Sequence, residues 1–370
     1  MLSKNRNTFF KVRNILAYTI EKRKDIGILL SSLSILVALT VSILAASGMI
    51  ALYGEDVGIV LKAIFKGSFG SMSALIDTLI KATPILLTGL ATIVAFRAKV
   101  WNIGQEGQLY AGAMGATFVI LTFPDLNLPA VIHIPFLLFA SMISGAIWGG
   151  IPGYLKARYN VNEIIVTVML NYIIQYLCTF LLNGPWQEPG SYYYNTVKFP
   201  ESTFLPLLFD TRLHLGFLIA LLTAFLIYFL IWKMKLGFEI RARGDNPIAA
   251  NYKGINTQRV TLITMLLSGA IAGLAGGVEI LGIHHKLIWG FSSGFGFTGI
   301  LICLLGRSHP LGVVIASIFF GALHNGSSAM QIYSEIPRSF VNLIMGLIIV
   351  MMLFWEAVFK YRLRRIENVS

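Results

Sequence analysis

The chain is broken into apolar runs of membrane-crossing length, and this constrains it more than any other feature. Ile26 to Leu52 holds no charged residue, and further long apolar runs follow. About 20 helical residues, rising 1.5 Å each, cross the roughly 30 Å hydrocarbon layer. Inside that layer each backbone N–H and C=O must be bonded within the protein, so only helices or a closed barrel fit. The alternating segments of about 10 residues that mark a barrel are absent. Charged residues make up 12%, against about 25% in a soluble domain, and the mean hydropathy is +0.74. The sequence therefore predicts an all-α polytopic membrane protein of about ten spans, within a range of 8–10.

The predicted spans are Ile26–Leu52, Ala74–Phe96, Leu109–Phe123, Pro129–Tyr154, Asn162–Leu182, Leu215–Trp232, Val260–Ile283, Leu287–Gly306, Leu311–His324 and Phe340–Phe359. The eighth interleaves Gly290, Gly294, Gly296 and Gly299 with Trp289, Phe291, Phe295 and Phe297. It reads as a broken, partly re-entrant segment, tolerated where it is buried or lines a cavity. Of the 29 Lys and Arg, 22 fall on the side that holds both termini and 7 on the other. That bias puts the termini in the cytoplasm. The net charge of +12 therefore reports orientation and not nucleic-acid binding.

Residues 1–25 form a basic arm, either an amphipathic helix on the anionic inner leaflet or a solvated tail. Residues 26–366 read as one transmembrane domain with two long connections. Residues 53–73 read as a shorter external loop. The external loop 183–214 carries Trp186 and Tyr192-Tyr193-Tyr194. The cytoplasmic loop 233–259 holds six of the Lys and Arg. Within it, Asp245 or Asn246 caps a short helix, Pro247–Tyr252, with Pro247 at its first position and Gly254 as its stop.

Other positions have a structural and a functional reading. Asn102, Gln105, Glu106 and Gln108 either shape a break before a span or line a path. Asn171 and Gln175, one turn apart beside Tyr172, either glue helices together or hydrogen-bond an uncharged polar solute, with Tyr172 or Phe297 stacking on a ring. Gly145, Gly149 and Gly153, and Gly269, Gly273 and Gly277, recur every four residues, as close helix packing needs. Pro84 is expected to bend its span, Asp77 to pair with Lys81, and Glu279 to lie at the interface. His133, His284, His285, His309 and His324 have no Cys or acidic cluster at ligand spacing, so no metal is expected. Cys178 and Cys303 lie in apolar runs. No catalytic Ser-His-Asp or paired-carboxylate set appears, nor a G-x-x-x-x-G-K-[ST] nucleotide loop. Few acids lie deep in spans, which counts against a proton- or sodium-coupled transporter.

Trp101-Asn102-Ile103-Gly104-Gln105-Glu106-Gly107-Gln108-Leu109 resembles the N-I-G-x-E-G-Q-L signature of the permeases of bacterial nucleoside ABC importers. The loop from Gly237 to Ile255 and the segment Ser268–Gly276 resemble the coupling loop and following span of the larger class of ribose and branched-chain amino-acid permeases, to which these belong, and Gly294–Ile300, Leu304–Gly312 and Met330-Gln331 with Ile336-Pro337 resemble its nucleoside branch. Gln105 stands where a small residue is common, and Ser308-His309 replace more usual polar residues. The resemblance implies a type II importer permease in the bacterial cytoplasmic membrane. It implies a second permease subunit, ATPase subunits that bring ATP and Mg, and a substrate-binding lipoprotein or periplasmic protein. This chain itself would hold no cofactor. Arg241, Gly244, Asp245, Asn246, Pro247, Ala249, Ala250 and Gly254 would couple it to the ATPase. Asn102, Gln105, Glu106, Gln108, Asn171, Tyr172, Gln175, Phe295 and Phe297 are the path candidates. An importer of a monosaccharide or other small polar solute has the same architecture. A stand-alone secondary transporter is the reading from another class.

Overall fold

A computed structural model describes residues 18–22, 28–124, 128–208, 210–333, 361–365 and single positions between 340 and 358. Packing divides the chain into two units, Met1–Val60 with Ser334–Ser370, and Leu61–Tyr333.

The first unit contains α1 (Ile28–Tyr53), which is the first expected span. It also contains the two named strands among the described residues. Strand β1 (Tyr18–Lys22) pairs antiparallel with β2 (Tyr361–Arg365), Tyr18 opposite Arg365 and Lys22 opposite Tyr361. The described part of the basic arm is thus a strand and not an amphipathic helix. Its remaining residues, most of the tenth expected span, and Ile336-Pro337 lie outside the described residues.

The second unit begins within α2 (Val57–Phe69), which occupies the stretch expected to be an external loop. Then come α3 (Met72–Arg97), α4 (Gln105–Thr122), α5 (Ala130–Tyr159), α6 (Glu163–Leu182) and α7 (Gly216–Lys233). Two short helices follow, α8 (Lys235–Asp245) and α9 (Pro247–Tyr252). The unit ends with α10 (Thr257–Glu279), α11 (Phe295–Leu305) and α12 (Pro310–Tyr333). Among the described residues six helices are long and apolar enough to cross a membrane. The eighth expected span is a loop leading into α11, only 11 residues long. Pro84 sits inside an unbroken α3. Asp77 lies 3.9 Å from Arg212 and not against Lys81.

The core forms where α10 runs along α5, α4 and α3. Glycine makes this possible. A Cβ on Gly145 of α5 would strike the Gly269 carbonyl of α10 and come within 2.6 Å of Gly273 Cα. Two helix backbones therefore touch, the approach that small residues permit in membranes. Gly149 meets Met265 and Gly269 at the same crossing, and Gly277 meets Ser141. The α3 and α10 spans are 83% and 78% buried, whereas α6 is only 22% buried. Helix α6 therefore offers most of its surface outward and touches the core along one stripe.

Candidate functional site

That stripe organises the polar centre of the molecule. Glu163, Thr167, Asn171, Ile174, Cys178 and Leu182 are its buried residues. Its polar half receives residues 101–107, which bridge α3 and α4. Trp101 N donates to Glu163 Oε1 (3.4 Å) and Ile103 N to Thr167 Oγ1 (3.3 Å). Gly107 N donates to Asn171 Oδ1 (2.8 Å), while Asn171 Nδ2 donates to the Ile103 carbonyl (2.9 Å). The free N–H groups at the start of a buried helix need such partners. Lys156, 3.0 Å from Glu163, keeps that carboxylate paired.

Facing α10, the same segment makes a closed side-chain knot. Asn102 Nδ2 donates to Gln108 Oε1 and to Ser268 Oγ, both at 3.0 Å. Gln108 Nε2 returns a bond to Asn102 Oδ1, and Gln105 Nε2 donates to Ser268 Oγ, again at 3.0 Å. Ser268 Oγ in turn donates to the Ala91 carbonyl of α3 at 2.8 Å. One hydroxyl therefore joins three segments of the chain. Gln105 Oε1 is buried without a hydrogen-bond partner among the described residues.

Glu106 reaches the other way. Its Oε2 accepts from Gly296 N (2.7 Å) at the start of α11, where Ser292 Oγ also accepts from Phe295 N (3.3 Å). A carboxylate at a helix N-terminus is favoured by both the free N–H groups and the helix dipole. Gly296 has no Cβ because one there would strike the Glu106 backbone. The starts of two helices thus abut across a carboxylate, in the segment expected to be broken. Phe295 is buried and bonds through its carbonyl to Thr88 Oγ1 (3.0 Å).

The path candidates therefore separate. Asn102, Gln105, Glu106, Gln108, Asn171 and Phe295 are all buried in this centre. Tyr172 is 54% exposed, Phe297 is 41% exposed and Gln175 is half-buried off the stripe. Three contributors escaped the sequence reading: Thr167, Ser268 and Thr88. For Thr167 a signal existed, since Glu163, Thr167 and Asn171 are spaced four apart.

At the basic end, Asn246 is the residue that caps α9, its Oδ1 accepting from Ile248 N (3.0 Å) and Ala249 N (3.1 Å). Asp245 is exposed beside it, Pro247 opens the helix, and Gly254 ends it at φ +81. Ala250 is buried, while Ile248 and Tyr252, one turn apart, are exposed. Gly244 fits against the Arg97 carbonyl. Arg243 donates to the Ala98 carbonyl and to Thr261 Oγ1 (3.1 Å), fastening α8 to the end of α3 and the start of α10. Burial lowers the Arg243 guanidinium from its ordinary value. Arg241 is half-buried and Ala249 exposed.

At the opposite end, α10 widens into a π turn, Ile280–His284, and stops at His285 with φ 54. Glu279, the last residue of α10, is 1% exposed. Residues 194–206 bind the turn that follows it, with Thr196 N, Phe199 N and Leu205 N donating to the carbonyls of Leu287, His285 and Leu281. Among the described residues, no group of three or more His, Cys, Asp or Glu is placed to hold a metal ion.

The family described as branched-chain amino acid transport system / permease component matches residues 74–353, which include the knot, both short helices and α11. The chain belongs to that family. This permease is 37% identical to the guanosine ABC transporter permease protein NupP of Bacillus subtilis, over 85% of its own length and 90% of the relative's. It is 34% identical to the glucose ABC transporter permease protein TsgB13 of Haloferax volcanii, over 88% of each chain. It is 32% identical to the nucleoside ABC transporter permease protein NupB of Lactococcus lactis, over 77% of its length and 80% of the relative's. No solved structure matches it. The permease is thus a multi-pass membrane subunit of a transport system and not an enzyme.

Proposed function

We propose that this permease carries nucleosides inward across the bacterial cytoplasmic membrane as one of two unlike permease subunits. ATPase subunits holding ATP and Mg drive it, and a lipoprotein or periplasmic protein delivers the solute. The likeness to the guanosine permease NupP, over nearly the whole of both chains, carries the solute assignment. Ten spans with both termini in the cytoplasm put α8 and α9 on the ATPase side. There Ile248 and Tyr252 form the face that enters an ATPase groove, and Arg243 passes the movement to α3 and α10. Arg241, Gly244, Asp245, Asn246, Pro247, Ala249, Ala250 and Gly254 hold that lever in shape. Asn102, Gln105, Glu106, Gln108, Asn171 and Phe295 build the wall of the path. Tyr172, Gln175 and Phe297, more exposed, meet solute or the second permease.

The likeness to the glucose permease TsgB13 supports a second reading, a monosaccharide as solute. Uptake of radiolabelled guanosine and glucose by the reconstituted importer separates the two. Saturable, ATP-dependent guanosine uptake is expected, and glucose uptake alone overturns the nucleoside assignment. Replacing both Ile248 and Tyr252 with Asp is expected to abolish uptake and co-purification with the ATPase while the permease itself stays folded. Uptake that persists removes the coupling role.

A further inference from the structure

Glu279 has a second property besides its burial. Neither of its oxygens has a hydrogen-bond partner among the described residues. His284 Nε2, 3.5 Å from Oε1, is at the outer limit of contact. An unsatisfied buried carboxylate is costly, and a donor from water or a ligand removes that cost.

The His214 ring packs on Gly282 of the π turn, three residues beyond Glu279. His214 is itself buried, with Nδ1 accepting from Gly216 N at 3.2 Å. A neutral imidazole whose Nδ1 accepts carries its proton on Nε2. Nε2 has no partner among the described residues. The cluster therefore offers two acceptors and one donor without a hydrogen-bond partner among the described residues, His284 standing 3.5 Å from one of the acceptors. It lies at the end of α10 away from the basic loop, the external end by the charge count, where residues 194–206 bind the turn. A π turn beside it adds a widened backbone of the kind found at functional positions.

We propose that Glu279 is the outer solute contact: its two carboxylate oxygens accept from adjacent hydroxyls of a sugar ring, and His214 Nε2 donates to an acceptor of the same solute. A vicinal diol matches two carboxylate oxygens with two neighbouring donors. Nucleosides and monosaccharides share that diol, so the contact rests on the importer reading but not on the choice between them. The cluster is buried, with the strap of residues 194–206 bound to its turn, and burial strengthens its hydrogen bonds.

The test pairs uptake by the whole importer with equilibrium binding to the purified permease–ATPase complex. Radiolabelled guanosine and 2′,3′-dideoxyguanosine are the probes, with glucose and 2,4-dideoxyglucose, which has no adjacent ring hydroxyls, as the second pair. Glu279→Gln is expected to weaken guanosine binding about tenfold or more, in line with the loss of charged hydrogen bonds. Dideoxyguanosine, lacking the diol, is expected to bind wild type and variant alike. His214→Asn is expected to weaken both by a similar, smaller factor. Glu279→Asp, which keeps the charge, gives an intermediate result and guards against a Gln variant that does not assemble. Equal weakening of both members of a pair by Glu279→Gln overturns the contact, as does unchanged guanosine binding in a variant that no longer transports. Wild-type uptake of glucose in place of guanosine overturns the nucleoside assignment alone, and the glucose pair then decides on Glu279. Wild-type binding of none of the four overturns the contact.

Discussion

Asn171 uses both ends of its amide on one backbone segment, accepting from Gly107 and donating to Ile103. Asn171→Ala leaves a buried N–H and a buried carbonyl unpaired, at a cost of roughly 1–3 kcal/mol. The expected outcome is a lower unfolding temperature of the purified permease in detergent. Gly145 is under a different constraint, since a Cβ there meets the backbone of α10. Gly145→Ala is expected to cost about 1–3 kcal/mol by overpacking, and Gly145→Leu to give no folded protein. Gly48→Ala, with nothing within 4 Å, is expected to leave the melting temperature unchanged. Glycine periodicity was legible in the sequence because it is local, four residues at a time. The partners of Asn102 and Gln105 were not, because Ser268 lies 166 and 163 residues further along.

Among elements, the strap at the end of α10 carries a pH dependence. Burial holds His214 below its ordinary value of 6.5, with Glu279 opposing the shift and His285 adding to it. Burial also lowers His285, aided by Lys198 and His284 and opposed by a hydrogen bond at Leu281. Both rings bind protons less readily folded than unfolded. Their contribution is intact above about 6.5 and is lost as pH falls through the depressed folded values. Thermal melts at pH 7.5 and 5.5 are expected to show the permease less stable at the lower pH. His214→Asn is expected to shrink that difference. Helix α9 shows how much of an element a short motif can specify. Asn246, Pro247 and Gly254 set its cap, first turn and stop with no help from elsewhere. The strap carries no such signature, since its backbone bonds go to residues 281–289.

For the whole molecule, the described acids in the core are few: Glu106 at the start of α11, Glu163 with Lys156, and Glu279 at the end of α10. None forms a relay from one face to the other, which suits a machine driven by a partner's ATP. Uptake in proteoliposomes is therefore expected to need internal ATP and to survive an ionophore that collapses proton and sodium gradients. Loss of uptake on adding the ionophore alone points instead to a secondary transporter. The substituted residues Gln105 and Ser308-His309 do not disturb the frame. Gln105 joins the Ser268 knot, and the Ser308 carbonyl accepts from Arg97 Nε (3.2 Å) and Nη2 (2.9 Å).

The sequence by itself determined the membrane class, most of the helices, the glycine faces of α5 and α10, the short helix α9 and the family. Each of these rests on runs, periods or caps within a few residues, where chain geometry leaves few choices. The tertiary structure decided how the polar residues are used. It turned Asn102, Gln105 and Gln108 toward one another and toward Ser268. It set Glu106 on the start of α11, left Tyr172 facing outward, and buried Glu279. A buried polar group takes its role from whichever donor or acceptor the fold brings within about 3 Å, and that partner lies far along the chain.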